Sequence, residues 1–233
     1  MTDIRNHGWK YVFLDADDTL WENEQFFREA EDRFSELLSP YTDGQHMRQE
    51  LWNNQERNIP LFGYGSKTYF IGMLDTALTL TGGILTREIY DGIRAIITEL
   101  AFHEISLLDG VLETLEALSE KYTLVVCTKG DLTEQTGKVE VSGISPFIHS
   151  VEIVPNKDEK DYRAMAAKYG IEPKDIIMVG NSVRADIIPV VNLGGTAIHI
   201  SHETTWAHEM ADMPQSERAL EIDAFTQLRD FLL

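Results

Sequence analysis

Three carboxylates, Asp15, Asp17 and Asp18, fall within four positions directly after the apolar run Tyr11-Val12-Phe13-Leu14. Like charges stacked at the end of a buried strand repel, and a bound cation, or a reaction centre held by one, relieves them. A carboxylate there can act as a nucleophile. A second one, two residues on, can protonate a leaving group and later deprotonate water, if its surroundings give it a different protonation state. The same residues could also make a solvated acidic turn; the strand ahead of them favours chemistry.

Three later stretches could complete such a site. Leu124-Val125-Val126-Cys127-Thr128-Lys129-Gly130 is another apolar run ending in a hydroxyl and a glycine. A threonine hydroxyl and backbone N–H groups at a strand tip can bind phosphoryl oxygens, although Thr128 alone reads as an ordinary helix cap. Lys157 and Lys160 precede a helical pattern, and either could neutralise carboxylates and a bound phosphate as a compact point charge. Ile176-Ile177-Met178-Val179-Gly180 leads to Asn181 and Asp186, whose oxygens suit Mg²⁺. Taken alone, these two read as a cap and a first-turn dipole partner.

The elements that must position these residues follow from hydrophobic pattern. Strand-like runs recur at Tyr11–Leu14, Leu124–Cys127, Val151–Val154, Ile176–Val179 and Thr196–Ile200. Helical patterns cover Val111–Lys121, Asp161–Tyr169, Arg184–Leu193 and Ala219–Leu232. Alternating strands and helices predict an α/β fold, a doubly wound, Rossmann-like parallel sheet covered on both faces. Between Trp21 and Glu104 the pattern is helical instead. One helix carries Phe26, Phe27, Ala30, Phe34, Leu37 and Leu38; a second carries Ile71, Leu74, Ala77 and Leu78; a third carries Ile89, Ile93, Ile96, Ile97 and Leu100. The expected division is a core of 1–20 and 105–233 with an all-helical insertion over 21–104. Such an insertion at the first strand's tip reads as a cap that excludes water and orients substrate.

Taken together and in this order, the four motifs resemble the haloacid dehalogenase-like hydrolase superfamily. The resemblance covers about Trp9–Leu20 and Leu107–Leu233, and the insertion resembles the helical C1-type cap of many members. It implies that Asp15 attacks phosphorus to form an aspartyl-phosphate and that Asp17 is the general acid/base. It implies that Thr128 binds the transferring phosphoryl group and that Lys157, following its strand closely, is the active-site lysine, with Lys160 the other candidate. Mg²⁺ would be held by Asp15, the Asp17 carbonyl and Asn181, with Asp186 in support. True haloacid dehalogenases lack an aspartate at the position of Asp17 and need no metal. The resemblance therefore implies a Mg²⁺-dependent phosphatase of a small phosphorylated metabolite rather than carbon–halogen cleavage. A phosphomutase, or a catalytically weak phospho-ligand binder, is the alternative. Asn181 departs from the family's acidic residue: an amide oxygen can ligate Mg²⁺ but brings no charge, so weaker metal binding is expected.

Composition narrows the partners. The net charge is −19 over 233 residues, which disfavours nucleic acid and anionic membranes. No run of about 18 apolar residues predicts a membrane span. Cys127 is the one cysteine and reads as a core residue, and the absence of disulfides and of a signal-peptide pattern suggests the cytoplasm. His202 and His208 flank Glu203 without the spacing of a zinc motif. Gly63-Tyr64-Gly65-Ser66-Lys67 reads as a turn between cap helices or, with Tyr64 and Lys67, as a loop that meets substrate. Lys129 is a further candidate phosphate contact. Trp52 and Trp206 read as packing residues.

Overall fold

The computed structural model describes residues 10–202 and 211–233. Among them, six parallel strands form one sheet: β1 (Tyr11–Leu14), β2 (Thr123–Thr128), β3 (Ile148–Ile153), β4 (Ile177–Gly180), β5 (Thr196–Ile200) and β6 (Ala219–Ile222). Their spatial order is β3-β2-β1-β4-β5-β6. The order reverses beside β1, and open α/β sheets bind ligands at the carboxyl ends of strands around such a reversal.

Side-chain alternation fills both faces. Val12, Leu14, Leu124, Val126, Ile177 and Val179 point to one core, with α5 (Val111–Ser119) and α9 (Leu228–Leu232) packed there. Phe13, Val125, Cys127, Ile176 and Met178 point to the other, covered by α7 (Glu159–Tyr169) and α8 (Ile188–Asn192). β1 is central and buried on both faces, so its unbroken apolar run suits it. α6 (Leu132–Val141) follows β2.

The described residues through Glu24, with Ile105–Lys129 and those from Gln135 on, form one compact unit. Gln25–Glu104 and Gly130–Glu134 form a second. The second contains α1 (Glu24–Leu38, from its second residue), α2 (Gly44–Phe62), α3 (Ser66–Leu80) and α4 (Arg87–Ala101). Its own core gathers Phe34, Leu38, Met47, Leu51, Met73, Ile93 and Leu100. Asp43 and Thr86 cap α2 and α4 by accepting the His46 and Ile89 N–H groups.

The structure corrects the expected elements in three places. Ala219–Leu232 is not one helix: Ala219–Ile222 pairs in parallel with β5, and the helix begins only at Leu228. Pairing with β5 overrides a spacing of Leu220, Phe225, Leu228 and Leu232 that fits a helix. α2 lies within the stretch that reads as helical but is not among the three helices assigned there, because Asn54, Gln55 and Asn58 are buried on its inner face beside Met47 and Leu51. Their amides bond Thr76 Oγ1, the Tyr69 carbonyl and Asp75, so polar residues occupy core positions. α6 is also additional, for a related reason described below.

Candidate functional site

The carboxyl ends of β1, β2 and β4 and the loop after β3 supply the motif residues. Asp15 extends β1, its N–H donating to the Val179 carbonyl at 2.8 Å. Lys157 follows β3 and is 1% exposed. Its ammonium pairs with Asp15 Oδ1 and lies 2.7 Å from Asp186 Oδ1. Burial favours loss of the lysine's proton, but the two carboxylates outweigh it and hold the ammonium charged well above the ordinary lysine range. Lys157 has φ 55°, a left-handed conformation that disfavours a residue with a Cβ by about 1–2 kcal/mol. That strain persists because the ion pairs fix where the ammonium must be. Lys160, by contrast, is exposed on α7.

Asp186 is fully buried, with Lys157 on one oxygen and the Ser182 N–H on the other at 3.0 Å. A Cβ at Gly180 would stand 2.2 Å from Asp186 Oδ2, so glycine ends β4 to admit that carboxylate. The turn after β4 is fixed further by Tyr162, which donates to the Ala185 carbonyl at 2.9 Å, and by Ser182 Oγ accepting the Ala185 N–H at 3.0 Å.

Asn181 is 4% exposed. Its backbone N–H donates to Thr19 Oγ1 at 3.1 Å. One end of its side-chain amide faces Asp15 Oδ2 at 3.1 Å, the Asp17 carbonyl at 3.3 Å and Thr19 Oγ1 at 3.3 Å. With oxygen at that end, the amide, the Asp15 carboxylate and the Asp17 carbonyl are three acceptors turned toward one another. That set suits a hard cation bound by oxygen. With nitrogen there, the amide's two N–H groups are donors that find their acceptors among the same three oxygens. The two ends are nearly isosteric, so half a turn of the amide interchanges the arrangements.

Asp17 is held differently. Trp21 Nε1 donates to Oδ1 at 2.7 Å, Lys138 Nζ to Oδ1 at 2.9 Å and Gln135 Nε2 to Oδ2 at 2.8 Å. Burial raises this carboxyl's pKa, but the charge of Lys138 and the three donors outweigh it and hold the group below the ordinary carboxylate range. Asp18 turns away: its carboxylate accepts the Asn23 and Glu24 N–H groups at the start of α1, and its φ is 56°. Aspartate tolerates that left-handed position better than most residues. Burial raises the Asp18 pKa to about 6 against those two N–H groups.

The other candidates are more scattered. Thr128 is buried at the tip of β2, its hydroxyl donating to the Lys129 carbonyl at 3.1 Å, while Lys129 is half-buried. Tyr64 lies in the loop between α2 and α3. Lys67, the second residue of α3, pairs with Asp131 at 2.8 Å, inside the helical unit. Cys127 is buried, and burial pushes its thiol far above the ordinary range. Asp18, Glu22 and His202 offer ligand atoms within 4.8 Å of one another. Asp18 already serves α1, and His202 Nε2 stands 3.4 Å from Glu22. Glu203, Trp206 and His208 lie outside the described residues. Among the described residues, no helix is long and apolar enough to cross a membrane.

Sequence reasoning missed Trp21, Asn23, Gln135 and Lys138 around Asp17. The available signal was on α6, where Gln135, Lys138 and Val139 are the buried residues. Residues three apart share a helix face, so this pattern places an amide and an amine where apolar residues are expected.

The model of the haloacid dehalogenase-like hydrolase family matches residues 9–194. A haloacid dehalogenase-like family hydrolase from Xanthomonas campestris is 30% identical, with a TM-score of 0.86 over 97% of this chain and 94% of its own. Two more distant structures share the fold. One is a predicted phosphoglycolate phosphatase from Haemophilus somnus, 18% identical, TM-score 0.64, covering 95% of this chain and 97% of its own. The other is an L-2-haloacid dehalogenase from Xanthobacter autotrophicus, 15% identical, TM-score 0.64, with the same coverage. No curated protein sequence matches the chain.

Proposed function

Because the chain belongs to the haloacid dehalogenase-like hydrolase family, and is therefore a hydrolase, we propose that it is a Mg²⁺-dependent phosphatase of a small phosphorylated metabolite. The observation that carries this is that Asp15 Oδ2 and the Asp17 carbonyl both lie 3.1–3.3 Å from one end of the Asn181 amide, so two oxygens face one point and the amide oxygen, when turned to them, supplies a third. Dehalogenation has no need of a cation site, whereas phosphoryl transfer places several negative charges beside Asp15. The presence of Asp17 points the same way, since it can supply the proton that a departing alcohol requires. The distant neighbours include a protein described as a phosphatase and another described as a dehalogenase, so likeness of fold does not choose between the chemistries.

In this reading Asp15, the Asp17 carbonyl and Asn181 would hold Mg²⁺. When bound, the ion neutralises phosphoryl charge as a Lewis acid. Asp17, an anion in the free enzyme, takes up a proton from solvent as the negatively charged phosphate binds beside it. Asp15 then attacks phosphorus, the bond to the leaving oxygen breaks, and that oxygen takes the proton from Asp17. The Asp17 anion then takes a proton from water as the water attacks the aspartyl-phosphate. Inorganic phosphate leaves, and both carboxyl groups return to their starting states. Lys157 supplies fixed positive charge beside Asp15, with Asp186 holding it in place. Thr128 and Lys129 bind phosphoryl oxygens, and the helical unit acts as a cap with Tyr64 and Lys67 as substrate contacts.

The test is hydrolysis across a metabolite-phosphate panel with Mg²⁺, set beside halide release from 2-haloacids. Phosphate release that stops on chelation, with no halide release, supports the reading. Halide release without phosphate release refutes it. Asp15→Asn must abolish turnover and hydroxylamine-labile phosphate on the protein; wild-type turnover in that variant would remove Asp15 as nucleophile.

A further inference from the structure

We propose that Gln135 and Lys138 are the positioning residues for Asp17 and leave its Oδ2 as the atom that exchanges the proton. This rests on the phosphatase reading. An ionised carboxylate offers about four acceptor positions, two on each oxygen. Trp21 Nε1 at 2.7 Å and Lys138 Nζ at 2.9 Å fill those of Oδ1. Gln135 Nε2 at 2.8 Å takes one on Oδ2. The remaining position is on Oδ2, and the donors on both oxygens fix the plane of the carboxylate.

A role in folding alone does not account for this clamp. Lys138 is 6% exposed, and lysine is seldom buried without a specific partner. Its ammonium is divided between Asp17 and Asn23, with Asn23 Oδ1 at 2.7 Å. Gln135 is 3% exposed, and its Oε1 has no hydrogen-bond partner. Turning the amide would satisfy nothing, because the Asp17 carboxylate requires the amino end. The protein thus tolerates an unsatisfied buried acceptor, ordinarily destabilising, to keep one donor on Oδ2. One turn of α6 delivers a donor to each oxygen of the general acid/base.

The proton path follows. Oδ2, ionised in the free enzyme, takes up a proton from solvent as the anionic phosphate binds, and gives that hydrogen to the leaving oxygen as the phosphorus bond to that oxygen breaks and the bond to Asp15 forms. The same Oδ2 then takes a proton from the attacking water, so the cycle closes without another acid.

The decisive variant is Gln135→Leu, which adds no charge; Lys138→Met is the second. Each full-length protein, with Mg²⁺, is assayed on aryl and alkyl phosphates whose leaving groups span a wide range of pKa. kcat/KM is read because it reports only through leaving-group departure. The expected loss is about 100-fold on alkyl esters, the size of a misplaced reacting group, and under about 5-fold on a nitrophenyl ester, which leaves without a proton. The nitrophenyl ester should also give a burst, because water activation in the second half-reaction is slowed. An equal loss across the series, or none, overturns the proposal. Melting of each variant shows whether it folds; if Lys138→Met does not, Gln135→Leu decides. A wild type that hydrolyses no ester refutes the phosphatase reading, and this proposal with it.

Discussion

Asn181→Asp measures what an uncharged ligand does to the cation site. The new carboxylate places an oxygen where one end of the amide now lies, 3.1 Å from Asp15 Oδ2. Two unit charges at that distance repel by about 5 kcal/mol at an effective dielectric of about 20. Protonation offers a slightly easier escape: holding an ordinary aspartate neutral at pH 7 requires about 4 kcal/mol. The smaller figure is the ceiling, so in excess chelator the variant loses up to about 4 kcal/mol and melts roughly 10 °C below the wild type. A cation between the oxygens removes the repulsion, and the loss reappears as affinity. At about 1.4 kcal/mol per tenfold, Kd for Mg²⁺ falls by about 10- to 1000-fold. Melting in chelator and across a Mg²⁺ titration, with a calorimetric Kd, reads both effects without an activity assay. A variant that melts with the wild type in chelator and binds Mg²⁺ no more tightly refutes the convergence.

Two further perturbations test the charges around it. Lys157→Met leaves Asp15 and Asp186 buried without their shared cation and should destabilise the fold by about 3–5 kcal/mol. The wild-type lysine, with its raised pKa, keeps its contribution through the neutral range and loses it only in strong base. The variant's two carboxyls, by contrast, gain protons as pH falls, so its deficit in urea midpoint should narrow between pH 8 and pH 5; a constant deficit contradicts the pairing. For Asp18, a pKa raised to about 6 means that the folded state binds the proton more tightly than the unfolded chain. Its ionisation therefore lowers stability as pH rises from about 4 through 6, by about 3 kcal/mol in all. In chelator, Asp18→Asn should flatten that part of the urea-midpoint profile; an unchanged slope assigns it to other groups.

Much of the fold was legible because β1, β2, β4 and β5 are buried on both faces and had to be continuous apolar runs. α1 and α4 were legible because one side of each faces a core. The elements that escaped share a cause. α2 and α6 bury amides, and α6 a lysine as well, which interrupts the apolar stripe on their inner faces. β6 is a short edge strand whose sequence also fits a helical period, and only its partner β5 decides between them. At the candidate site, residues at strand ends declared themselves by following apolar runs. The residues around Asp17 did not, because Gln135 and Lys138 have meaning only once α6 brings them to a carboxylate more than a hundred positions earlier.

The central position of β1 also bears on synthesis. Tyr11 pairs with Thr123 and Val12 with Leu124, so this strand leaves the ribosome with its first neighbour about 110 residues behind. At about 5–20 residues per second, it waits roughly 6–20 s with its apolar side chains unpartnered. The antiparallel bridge between Trp21 and Leu107 pinches off the intervening chain at its base. Once that bridge closes, the effective loop joining β1 to β2 shrinks about fourfold, which lowers the entropic cost of bringing them together by about 1 kcal/mol. An insertion that folds and closes early thus shortens the vulnerable interval of the nascent chain, and the strand that bears Asp15 is the one it protects.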